Sequence, residues 1–132
     1  MSNAHKKDSI TIDFIEKEAE LLKISAIRLL LLDIIKQHQD KGIYGYQIGE
    51  KLSLVTEGDL IGSQAGFYAI LRRYHKEGLL KTELRSSETS RPTRKYYLLT
   101  QKGEQVYHAL WQNWIHYSGI ISRILKKNDL FE

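Results

Sequence analysis

The chain has no cysteine among its 132 residues, which removes disulfides, thiolate metal sites and cysteine nucleophiles together and fits a reducing, cytoplasmic location. Long apolar runs are missing too. The four leucines at 29–32 lie between Arg28 and Asp33, far short of the roughly 18 residues that a membrane span needs, so no membrane partner is expected. No secretory signal is visible, and Met1-Ser2-Asn3-Ala4 has the character of a cloning remnant, so residues 1–9 are expected to form a flexible terminus outside the fold. Metal chemistry lacks its ligands. His108 and His116 are eight apart on one predicted helix, not the four that sets two imidazoles over one ion, and no acidic or thiolate residue completes a site. There is no phosphate-cradling glycine loop and no nucleophile beside a base, so neither a cofactor nor enzymatic activity is expected. Internal repeats and low-complexity segments are also absent.

What remains is one domain by length, with the 42% hydrophobic and 27% charged residues of an ordinary soluble protein. The net charge of +4 is modest, but it is unevenly placed. Residues 63–103 hold nine Lys and Arg against three Glu, a balance of +6, while the rest of the chain holds eleven against thirteen, a balance of −2. Positive charge gathered on one segment suits a polyphosphate partner, because each neutralised phosphate releases condensed counterions.

That segment carries the most structural information. Phe67, Ile70, Leu71 and Tyr74 recur at helical spacing, with Gln64, Arg72, Arg73 and Lys76 directed elsewhere. Gly78 then closes the helix in the left-handed conformation. Leu80, Thr82 and Leu84 alternate with Lys81, Glu83 and Arg85, the period of a half-buried strand. Residues 86–93, with three serines and the only proline, Pro92, form a loop, and Tyr96, Tyr97, Leu98 and Leu99 return as a second strand. Helix, strand, loop and strand make a winged helix, with Ser63 as N-cap of the recognition helix.

Around it, residues 12–38 read as one long helix with Ile24, Ile27, Leu31 and Ile34 or Ile35 on one face, apolar all round at 29–32 and therefore covered all round. Ile43-Tyr44-Gly45-Tyr46 leads into a second helix to about Val55, its glycine allowing close backbone approach. After the wing, Thr100 caps a last long helix with two apolar stripes, Val106, Leu110, Trp114, Tyr117, Ile121 and Ile124 beside Tyr107, Trp111, Ile115 and Leu125. One stripe is expected on the first helix and the other on a second copy, giving a homodimer. The expected class is mainly α with a small β-wing: a winged helix-turn-helix over residues 10–100, including the long first helix, and a dimerisation helix over 101–132.

These residues resemble the PadR family of transcriptional regulators. The family's tyrosine-glycine-tyrosine before the second helix is similar to Tyr44-Gly45-Tyr46. Its recognition-helix run resembles Ala65-Gly66-Phe67-Tyr68 with Arg73 and Glu77-Gly78-Leu79-Leu80, and its wing resembles the stretch from Arg91-Pro92 through Arg94-Lys95-Tyr96-Tyr97-Leu98-Leu99-Thr100 to Gly103. Gly66 stands where the family usually has Thr or Ser, Ala69 where many members have proline, and the wing has an extra residue around Thr93. The resemblance implies a DNA-binding repressor of the short subfamily with one C-terminal helix, reading a DNA sequence different from that of its relatives. Some members carry a tryptophan at the position of Trp114 that faces its symmetry mate in a pore admitting planar aromatic compounds.

The candidate DNA contacts are therefore Ser63, Gln64, Tyr68, Arg72, Arg73 and Lys76 on the recognition helix, with Arg91, Arg94 and Lys95 on the wing. Tyr44 either hydrogen-bonds phosphate or packs inside. Candidate effector residues are Trp114 with Leu110, Trp111, Tyr117 and Ile121, though the two tryptophans would equally fill a dimer core. The partners expected are double-stranded DNA with two-fold symmetry, a second copy of the chain and a planar aromatic effector. The alternative is a winged helix used for protein interaction or assembly, without an operator.

Overall fold

The computed structural model describes residues 2–56, 58, 64–86 and 93–128, with side chains for 9, 11–56, 58, 66–86 and 93–127. Seven elements follow in order: α1 (Ser2–Gln37), β1 (Ile43–Tyr44), α2 (Gly45–Val55), α3 (Gln64–Lys76), β2 (Leu80–Arg85), β3 (Arg94–Leu99) and α4 (Gln101–Asn128). The architecture is mostly helical with a small antiparallel sheet, as the patterns predict.

α1 begins at Ser2 rather than near Ile12, so residues 2–9, expected as a flexible terminus, belong to the helix. No proline or glycine occurs before Gly42 to break it. Its two halves differ. Ile27, Leu31, Leu32, Ile34 and Ile35 are buried, while Ile12, Phe14, Ile15, Leu21 and Leu22 are exposed. Of the leucines at 29–32, Leu31 and Leu32 are covered by the chain's own domain, while Leu29 and Leu30 are half-buried against it. Ile35, Leu31 and Leu32 join Ile43, Ile48, Leu71 and Leu80 as fully buried side chains, each contributing about 1.5–3 kcal/mol by leaving water.

The sheet has three strands in the order β1-β3-β2, one more than the pattern predicts. Two residues are too few to show a period. Ile43 pairs with Tyr97 and Tyr44 with Tyr96, while β2 pairs with β3 from Leu80↔Leu99 to Arg85↔Arg94. Leu80 is buried and Thr82 half-buried, but Leu84 is 71% exposed, because the hairpin runs out past the core.

Turn chemistry follows the sequence closely. Gly78 has φ +80°, its N–H donates to His75 O and that of Leu79 to Tyr74 O, the paired bonds of a Schellman motif that closes α3. Thr100 caps α4, its hydroxyl accepting from Gly103 N–H at 3.0 Å and donating to Gly78 O at 2.6 Å. Gly103 has a reason that the sequence hides. A Cβ there would lie 2.0 Å from the carbonyl oxygen of Leu79, so only glycine lets α4 start against that backbone.

α4 is fixed to α1 over its first two turns. Lys36 Nζ meets Glu104 Oε1 at 2.5 Å, and the Tyr107 hydroxyl donates to the Asp33 carboxylate. The Lys36 bond and charge hold the Glu104 carboxyl below its ordinary range. Past Tyr107, residues of both stripes are exposed, among them Leu110, Trp111, Trp114, Ile115, Tyr117, Ile121 and Leu125. The expectation that one whole stripe rests on α1 therefore holds only at the start of the helix.

Burial first, and then the bond to Asp33, push Tyr107 from 10.0 up to about 12. A raised folded-state pKa means that this stabilisation is complete below the ordinary tyrosine pKa and is lost as pH climbs through the raised one. Tyr107→Phe is expected to lower unfolding free energy by about 1–2 kcal/mol at neutral pH, since the Asp33 carboxylate loses a donor. Denaturant titrations between pH ~9 and ~12 should then show a shallower decline for the variant than for the parent. Parallel slopes would mean that the hydroxyl is not held as described.

Candidate nucleic-acid interface

α3 presents a basic face because its large apolar side chains turn inward. Phe67 and Leu71 are buried and Ile70 and Tyr74 half-buried, leaving Arg72, Arg73 and Lys76 exposed. Successive residues are roughly 100° apart around a helix, so the two arginines diverge. Arg72 lies toward the sheet, close enough for its charge to oppose the rise of the Tyr97 pKa that burial and Tyr68 produce. Arg73 turns the other way, into a groove between α1, α3 and α4, where its charge acts on Tyr74 together with that of Arg28. Of the adjacent pair, Arg72 belongs with Lys76 on the outward face.

Tyr68 is not a free recognition side chain. Its ring lies over Gly45 at the start of α2, where an added Cβ would be 2.6 Å from the ring carbon Cε1, and it packs against Phe67 with centroids 4.9 Å apart. The glycine between the two tyrosines thus admits a ring from the recognition helix and fixes how α2 and α3 meet. Tyr44 occupies the N-cap position of α2 without a side-chain cap bond. Its ring meets Tyr96 edge-on at 5.4 Å, and the Arg94 guanidinium covers it at 4.5 Å.

Arg94 and Lys95 are adjacent on β3 and exposed, so they point to opposite faces of the sheet. Arg94 shares a face with Tyr44 and Tyr96; Lys95 shares one with Thr82 and Tyr97. The wing is therefore cationic on both sides. Arg72, Lys76, Arg94 and Lys95 have no acidic partner within ion-pair distance among the described residues. Ser63 and Arg91, and the side chain of Gln64, lie outside the described residues. Arg85, absent from the predicted contacts, is drawn into this region through Tyr96.

Three of the effector candidates border the inner side of α3. Leu110, Trp114 and Tyr117 line the groove of about 1060 Å³ shared with Ile24, Ile70 and Arg73. Trp114 also borders a smaller hollow along Ala19, Leu22 and Ala26 of α1. Trp111 and Ile121 line neither and face outward, 47% and 56% exposed. Among the described residues no group of His, Asp and Glu could hold a metal ion, and no helix is long and apolar enough to cross a membrane.

The model of the transcriptional regulator PadR-like family matches residues 31–109. No curated protein matches the chain. Among solved structures, a PadR-like transcriptional regulator from Bacillus cereus is 31% identical, over 74% of this chain and 89% of that one, with a TM-score of 0.61. A Streptococcus transcriptional regulator is 29% identical over 79% and 95%, with a TM-score of 0.64. A regulator of the same family from Eggerthella lenta, at 20% identity and a TM-score of 0.71 over 89% and 96%, shares the fold.

The contact between Gly45 and Tyr68 generates a prediction. Gly45→Ala should destabilise the protein by about 1–3 kcal/mol, because the ring must leave its place. In a double-mutant cycle with Tyr68→Ala, which vacates the space, the double substitution should cost less than the two single substitutions summed. Strict additivity in denaturant unfolding would refute the contact.

Proposed function

Since the chain belongs to the PadR-like family of transcriptional regulators, we propose that this DNA-binding regulator, which is not an enzyme, works as a homodimeric repressor released by a planar aromatic compound. The observation that carries the reading is the division of the surface. Cations without acidic partners among the described residues occupy the outward face of α3 and both sides of the wing, while the exposed large apolar side chains are concentrated on α1 and α4. The alternative, a protein-interaction module without an operator, calls for an exposed apolar patch in place of a basic recognition helix and wing, and the basic face of α3 and the wing favours the DNA reading over it.

Charge supports the pairing of two copies. Residues 11–23 of α1 carry Asp13, Glu16, Glu18 and Glu20 against Lys17 and Lys23, while the far part of α4 carries Arg123, Lys126 and Lys127 with no acid. An antiparallel partner would lay one on the other. Both helices expose apolar residues over the same stretches, and covering them is the larger driving force. Ile121→Glu with Leu125→Glu is expected to give a folded monomer in sedimentation equilibrium, since both side chains are exposed within one chain. A dimer as stable as the parent's would remove α4 from the interface.

The functional test is selection of duplexes from a random pool by the purified protein, followed by titration of a planar cationic dye. Enriched sequences should contain two inverted half-sites about 34 Å apart or a multiple of it, which puts both recognition helices on one side of the duplex. The dye should stack on Trp114, quench tryptophan emission saturably and weaken the selected complex, because a ligand shifts the dimer only by preferring one of its arrangements. Trp114→Ala keeps Trp111 as reporter. Equal dye binding by that variant, folded and dimeric, would make Trp114 a packing residue; unenriched pools would defeat the operator reading.

A further inference from the structure

The pairing register sets two arginines directly opposite each other. Arg85 on β2 faces Arg94 on β3 in the last row of the hairpin, a like-charge pair that ordinarily weakens a sheet. Here both guanidinium groups lie over tyrosine rings. Arg85 lies over Tyr96 at 4.4 Å and Arg94 over Tyr44 at 4.5 Å, and the two rings meet edge-on at 5.4 Å. Register accounts for the order. Glu83, Tyr96 and Tyr44 form one row across three strands, and the arginines stand two residues along from Glu83 and Tyr96 on the same face. The result is a continuous chain of ring contacts, Arg85–Tyr96–Tyr44–Arg94, across the whole sheet, with an arginine stacked at each end.

The ends of the stack differ. Arg85 is committed: Nη2 and Nε donate to Glu83 Oε2 at 2.6 and 3.2 Å, and Nη1 donates to the carbonyl of Lys41 in the turn after α1. Its charge is offset by Glu83, and that leaves little to attract phosphate. Arg94 is stacked by its face alone, with no acidic partner among the described residues, so its N–H edge stays available. The outer rows of the described strands lack apolar anchorage on the opposite face, with Leu84 and its partner Lys95 exposed. The bond to Lys41 ties that end to the helical body, at a turn where a Cβ added to Gly42 would lie 3.4 Å from both Arg85 Nη2 and Tyr96 Cβ.

We propose that Arg85 is a positioning residue for DNA binding: without touching the duplex, it fixes the angle of the wing and, through Tyr96 and Tyr44, presents Arg94 to a phosphate. The proposal rests on the DNA-contact reading of the wing. Ordering a long arginine costs conformational freedom, and the stack incurs that cost in the free protein, before DNA arrives.

The experiment uses the full chain and its Arg85→Ala, Arg85→Lys and Arg94→Ala variants, titrated onto a labelled random-sequence duplex over a salt series. Arg94→Ala should lose affinity and flatten the log–log salt slope by about one, as a lost phosphate contact does. Arg85→Ala should lose about tenfold while keeping the parent's slope, the size of a lost cation–π stack and its consequences. Arg85→Lys should not restore it, because an ammonium cannot stack and fork between Glu83 and Lys41 together. DNA-free NMR spectra supply the second readout: the Arg94 Hε resonance, shifted by the Tyr44 ring in the parent, should move toward its free-arginine position in Arg85→Ala while the core amides stay in place. An unmoved Arg94 resonance, parent-like affinity, or a slope reduced by one in Arg85→Ala would each overturn the assignment. A parent that binds no duplex would overturn the DNA reading as well, and the spectra tell the two failures apart.

Discussion

The backbone of Leu99 is the point on which the rest of this structure turns. It ends β3, and on the β1 side it has no strand to pair with, because Gly42 turns the chain away at φ +79° one residue before the two-residue β1. Buried backbone groups left unpaired are costly, so something must replace the strand. The side-chain amide of Gln39 does so, donating to Leu99 O at 2.8 Å and accepting from Leu99 N at 2.9 Å. Within the same six residues, Lys36 binds Glu104 on α4 and the carbonyl of Lys41 binds Arg85 on β2. The end of α1 thus holds the base of the wing, its outer part and the start of the last helix.

A consequence is that the two ends of the molecule meet through a small, polar junction rather than through the core alone. α4 is pinned at Gly103, Glu104 and Tyr107 and is exposed beyond them, while α1 is buried toward its end and exposed toward its beginning. α3 joins the two surfaces. Arg72 and Lys76 belong to its outward face, and Ile70 and Arg73 line the groove that Trp114 and Tyr117 border. A molecule or helix filling that groove would touch the recognition helix directly. Coupling between the ends then needs only a difference in fit between two arrangements of α3 and α4, the condition under which a ligand shifts an equilibrium.

Much of this was legible because it depends on local chemistry. Phe67 and Leu71 show a helical period, Gly78 followed by Leu79 announces a Schellman ending, and Thr100 has the hydroxyl that a cap requires. What stayed hidden depends on distant partners. A strand as short as β1 carries no period, Leu84 alternates correctly yet lies beyond the core, and Gly103 needs to be small only because Leu79 is beside it. Tyr68 and Arg73 were read from helix position as DNA contacts; that Tyr68 also packs over Gly45 and that Arg73 also borders the groove between α1 and α4 could not be read there, because those neighbours are distant in sequence. Arg85 looked like one more strand-surface cation. Only the register shows it opposite Arg94 and above Tyr96.

The modest net charge also becomes intelligible in this light. A protein that held DNA by charge alone would spread lysines widely, and its binding would respond to salt more than to sequence. Here the described cations without acidic partners near the wing and α3 are few, and one of them, Arg94, is stacked in place rather than left mobile. Acidic residues gather instead between residues 13 and 20 of α1, far along the chain from the basic segment. Such a surface would repel phosphate from the helix that the proposed dimer covers and leave one orientation favourable. Orientation on the duplex is what a two-fold dimer must secure before base contacts can discriminate, and a fixed wing beside a recognition helix held by Gly45 and Tyr68 meets that requirement with few charges.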